Sequence, residues 1–254
     1  MLRGLAASFY AAFKTLSRSL ASALFISILP PLFSSLLLAG GWLLSGAVDV
    51  DKYLYQLVGS SLLVLGQIAV GETVWVVRDY VREGLYDYIL ASPSRMLETF
   101  YGVFLAEALI FSGLSLAFTA VIVGAIKGPI YGVATAVAYA LAFVGILPVL
   151  GIGIILASLL PVVRDPGVLV MPVGAVLTLL GGAIYPLSIL PPYLELAASA
   201  LPMAALAQAV RGFALGLKLQ IESLGLLGAY MLYVLVGLLV FRVMNAYARR
   251  RGIV

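Results

Sequence analysis

The chain has 254 residues, of which 63% are hydrophobic and 10% charged, with a formal net charge of +4. A mean hydropathy of +1.16 belongs to a membrane protein, since soluble domains are roughly 45–50% apolar; there is room for several spans and none for a large soluble domain. Cysteine and histidine are both absent, which excludes disulfides, thiol nucleophiles, imidazole bases and most zinc sites.

The basic residues flank apolar runs and do not form a patch on a soluble face. They point to a membrane surface and away from nucleic acid. The single asparagine, Asn245 in Asn-Ala-Tyr, makes no glycosylation sequon. Scarce asparagine and absent cysteine fit a heat-adapted source. The N-terminal stretch lacks the short apolar core and small-residue cleavage site of a signal peptide.

At about 100° per residue, Leu5, Phe9, Phe13 and Leu16 gather on one side of a helix over residues 1–18. Arg3, Lys14 and Arg18 gather on nearly the opposite side. That pattern predicts an amphipathic helix lying in the membrane interface.

A span needs about 20 mostly apolar residues. The first charge-free run is Ser19 to Val48, interrupted by Pro30-Pro31. The second span falls in Tyr53 to Val77 and contains Glu72; the third falls in Phe100 to Ile126 and contains Glu107. The fourth lies within Gly128 to Val163, the fifth within Gly167 to Leu190, and the sixth in Leu224 to Phe241. Residues 191–211 open on Pro191-Pro192, carry Glu195 and break again at Pro202. Neither half is long enough to cross, so two short re-entrant helices dipping into the outer leaflet are expected there.

Charge bias supports six spans. With that count, eleven of the fifteen Lys and Arg residues share one face, and the positive-inside rule makes it cytoplasmic, with both termini on it. The expected fold is therefore an all-α polytopic membrane protein of six transmembrane helices, a single permease domain over 1–254. No internal repeat of the inverted-repeat kind is visible.

No Gly-rich loop ending in Lys-Ser or Lys-Thr occurs, so the chain has no ATP site of that type, and a serine nucleophile would lack a base. No catalytic residue, bound metal or cofactor is expected. Glu72 and Glu107 are the two membrane-embedded acids, expected at similar depth in antiparallel spans. They read either as a polar lining or proton site, or as structural partners of a basic group such as Arg78 or Arg3.

The most charged passage, 78–99, lies between the second and third spans. Gly84 is a helix break, Leu85 to Leu90 an amphipathic turn carrying Tyr86, Asp87, Tyr88 and Ile89, and Ser92-Pro93 a stop. Aromatic and apolar groups with a few charges make a partner-binding surface; an ordinary solvated loop is the bland alternative.

Here the chain resembles the permease subunits of type-two ABC exporters. Their loop after the second span carries a pattern like Glu-x-x-x-Gly-Thr-x-Glu-x-Leu-x-x-Ser-Pro. This chain has Gly84, Asp87 in the acidic place, Ile89-Leu90 and Ser92-Pro93, and departs with Leu85 for threonine and Asp79 for glutamate. The family's outer segment is matched by Gly182, Pro186, Pro191, Leu201, Pro202 and Arg211. The resemblance implies that Gly84 to Pro93 is a coupling helix seated in an ATPase subunit. It implies an exit gate at Pro186, Pro191, Glu195, Pro202 and Arg211, the last placed with Glu195 near the outer surface. It further implies a homodimer in the cell membrane with two ABC ATPase subunits, which hold the ATP and Mg. Few polar groups in the spans favour a hydrophobic or amphipathic cargo: a drug, lipid or lipid-linked molecule. The alternatives are a proton-coupled secondary transporter using Glu72 and Glu107, and a purely structural membrane subunit.

Overall fold

The computed structural model describes residues 2–44, 49–85, 88, 96–163, 165–217 and 228–250. Among these every regular element is helical, and no strand occurs. Among the described residues three helices are long and apolar enough to cross a membrane: Val50–Arg82, Met96–Lys127 and Pro129–Leu160.

Helix α1 (Leu2–Ser17) follows the amphipathic pattern. Leu5, Phe9 and Leu16 are half-buried, whereas Arg3, Lys14 and Arg18 are exposed. It meets α2 (Leu20–Leu44) at a bend of 88° and lies against the helical stretch Met96–Glu107. Contact there is close enough that a Cβ on Gly102 would fall 2.6 Å from the Leu5 carbonyl oxygen. Helix α2 continues through Pro30 and Pro31.

Helix α3 (Val50–Arg82) is the centre of the molecule. Asp49 caps its start, accepting from the backbone N–H groups of Asp51 at 3.0 Å and Lys52 at 3.2 Å. The Lys52 N–H in particular holds the Asp49 carboxyl below its ordinary value. Leu54, Leu57, Leu62, Leu65, Ala69 and Val74 are fully buried, because α2 and four of the helices that follow all pack on α3. At about 1.5 Å per residue α3 is about 50 Å long, more than the roughly 30 Å of a hydrocarbon layer.

Helix α4 (Met96–Lys127) is α-helical to Glu107, widens into one π-helical turn over Ala108–Ser112, and resumes at Gly113. After Gly128 it reverses into α5 (Pro129–Gly145), started by a proline at the first turn, and Gly124 and Gly132 let the two backbones meet. Helix α6 (Leu147–Val163) continues α5 across Ile146. Asp165 caps α7 (Pro166–Leu180), accepting from the Gly167 N–H at 2.9 Å. A short 3-10 turn (Leu187–Ile189) leads to α8 (Pro192–Ser199) and α9 (Pro202–Leu215). These two are bent by 88°, the geometry expected of a segment broken at Pro202. Helix α10 (Met231–Arg250) closes against α6, where Gly151 and Gly237 sit backbone to backbone. Small residues of this kind are what let helices approach closely in lipid.

Candidate functional site

Three places along α3 bring functional side chains together. At its C-terminal end the helix stops in a Schellman turn. Gly84 takes φ +67°, its N–H donates to the Val81 carbonyl at 3.3 Å, and the Leu85 N–H reaches back to Tyr80 at 2.8 Å. Gly84 of the coupling pattern is thus the residue that ends the helix, and only glycine adopts that backbone without strain. Leu85 and Tyr88 are exposed, Tyr88 at 75%. Tyr86, Asp87, Ile89, Leu90, Ser92 and Pro93 of the expected coupling helix lie outside the described residues. Arg78 lies over the Trp75 ring, 5.0 Å from its centre, and pairs with Asp79 at 3.7 Å.

About three turns below this end, Glu72 of α3 meets Glu107 of α4, carboxyl to carboxyl. The structural reading named Arg78 or Arg3 as their partners. That is corrected: the two acids pair with each other, because antiparallel packing puts them at one level while Arg78 is engaged by Asp79 and Arg3 is exposed. One Glu107 carboxyl oxygen is buried and accepts from no hydrogen-bond donor among the described residues. The same antiparallel register brings the Ser61 and Thr119 hydroxyls to 2.6 Å further along. The π-turn begins immediately after Glu107; such turns recur at functional sites. Nothing in the sequence marked it.

Glu72 also lines a groove of about 650 Å³ between α2, α3 and α7, walled by Pro31, Leu63, Val64, Phe111, Val170 and Ile184. Its polar groups are few. Gln67 donates to the Gly174 carbonyl at 3.1 Å and to Thr178 at 3.2 Å, tying α3 to α7.

At the other end of α3 stands Arg211. Sequence placed it near an outer surface with Glu195. It is 2% exposed, turned inward from α9, while Glu195 is exposed on α8. Its Nε donates to the Tyr55 carbonyl at 3.0 Å, and Nη1 and Nη2 donate to the carbonyls of Gly182 and Ala183. The guanidinium also stacks on the Tyr55 ring, 3.6 Å from its centre. The planar fork thus satisfies carbonyls left free where α7 ends. Gly59 makes room, since a Cβ there would fall 1.7 Å from the Ala183 oxygen. Of the other gate residues, Pro186 and Pro191 are exposed, and Pro202 is buried at the start of α9. The lone arginine in an Ala-rich helix was visible in sequence; its partners are backbone groups, which sequence does not single out.

Among the described residues no cluster of metal-binding side chains converges. An all-helical bundle with several long apolar helices fits a polytopic membrane protein. Its sequence matches the family model described as ABC-2 type transporter over residues 4–215, and the chain belongs to that family as the permease subunit of a type-two ABC transporter. Membership sets it in a membrane and implies an ABC ATPase partner. No curated protein matches it.

Proposed function

We propose that this permease exports a hydrophobic or amphipathic molecule, as a homodimer driven by two ATPase subunits. Supporting this reading, the apolar groove lies along α3 and in sequence the coupling pattern follows directly on that helix, so one element links cargo to the docking loop. The proposed layout has six spans (α2, α3, α4, α5 with α6, α7 and α10) in a single domain. Both termini face the cytoplasm, α1 lies in the interface of the cell membrane, and α8 and α9 re-enter from outside. ATP and Mg bind the partner. Closure of the ATPase pair pushes residues 84–93, α3 carries the motion, and the segment from Pro186 to Arg211 opens or seals the exit. Drug, lipid and lipid-linked cargo all suit such a groove.

The observation that carries the reading is the glycine-ended α3 leading straight into the Asp87, Ile89-Leu90, Ser92-Pro93 pattern. Asp87→Arg with Leu90→Asp tests it: the double variant is expected to reach the membrane at normal levels and to lose its ATPase partner on affinity purification. Retention of the partner would contradict the assignment of that loop.

A further inference from the structure

The groove beside Glu72 says something about cargo charge. Among the described residues Glu72 is its one ionisable lining side chain, and no basic residue lines it. Arg78, a turn and a half further along α3, has its charge met by Asp79. Behind Glu72 stands Glu107, with one carboxyl oxygen buried and unpartnered. On the same face of α4 the hydroxyls of Ser112 and Ser115 are also buried without partners.

Two carboxyl groups side by side in a water-poor site hold a proton between them, because a second bare negative charge there is strongly disfavoured. The pair therefore carries one proton and a charge of about −1. A monovalent cation against Glu72 can replace that proton. The site then holds two carboxylates and one positive charge, again a net charge of about −1, and the proton leaves to bulk water.

We propose that the groove binds a hydrophobic organic cation at Glu72, displacing the proton shared with Glu107. The apolar walls hold the body of the molecule and Glu72 its charge. This deepens the exporter reading by naming the cargo class; ATP hydrolysis remains the driving force and the proton is only the displaced ligand. Other titratable groups acting on the pair are Asp79 and Tyr80, both on α3. From α1, packed on the same stretch of α4, Arg3 is exposed. No titratable residue of α2 or α7 lines the groove among the described residues.

The test uses two probes of the same shape and opposite charge, tetraphenylphosphonium and tetraphenylborate. Their binding to the purified full-length permease in detergent is followed by calorimetry in buffers of different ionisation enthalpy. The phosphonium is expected to bind with release of about one proton, weakening about tenfold per pH unit on acidification, and the borate not to bind. Glu72→Gln should lose at least about tenfold in affinity, because the one charge that meets the cation is gone. Glu107→Gln should bind the cation without releasing a proton. Equal binding of both probes, cation binding without proton release in the wild type, or no binding because a second copy seals the groove would each overturn the proposal. The wild-type comparison decides even if Glu72→Gln fails to fold. Because no ATPase is present, failure here leaves the exporter reading to be judged separately by partner association.

Discussion

Arg211 brings a full positive charge into the bundle with only carbonyls and a tyrosine ring around it. Each buried acceptor left unsatisfied costs about 1–3 kcal/mol, so Arg211→Ala is expected to destabilise the permease by on the order of 3 kcal/mol. Arg211→Lys should recover little, because an ammonium cannot span three carbonyls as the planar fork does. Thermal unfolding of the purified variants measures both. Gly59→Ala should resemble Arg211→Ala, since its Cβ would occupy the space of the Ala183 oxygen and an Arg211 nitrogen. A stable Arg211→Ala protein would mean the guanidinium is not what ties α9 to α3. At this scale sequence identified the charged residues but not where they point. Arg211 and Glu72 stood out as lone charges in apolar runs, yet the first binds backbone and the second another acid. Both facts depend on how neighbouring helices are rotated and registered.

Elements were far more legible than contacts. The runs chosen for the second and third spans lie inside α3 and α4, since apolar length decides them. Gly84, Pro191-Pro192 and Pro202 mark the breaks through backbone chemistry that needs no partner. The π-turn after Glu107 escaped notice because ALIFS has no distinguishing composition; it arises from packing. Two element-level changes follow. Gly84→Ala forces a left-handed backbone on a residue with a Cβ, at about 1–2 kcal/mol. It should weaken ATPase association several-fold, read by co-purification, while leaving thermal stability of the bundle nearly unchanged. Gly102→Leu should lift α1 from α4, where the backbones already touch. Faster proteolysis near Arg18, with the remaining helices intact, is the expected sign.

For the whole molecule, the central claim is that this chain is a transport part without a motor of its own. A buried α3 spanning from the Arg211 pin to the Gly84 turn would connect the proposed exit gate with the proposed docking loop, an arrangement that works only if something pushes it. The most direct measurement is to tag the chain, purify it gently from its native membrane, and identify its stoichiometric partners by mass spectrometry. The account predicts an ABC ATPase at one copy per permease, lost with the Asp87→Arg, Leu90→Asp double variant. A chain that emerges from mild detergent with no ATPase, yet still moves cargo in vesicles, would contradict it.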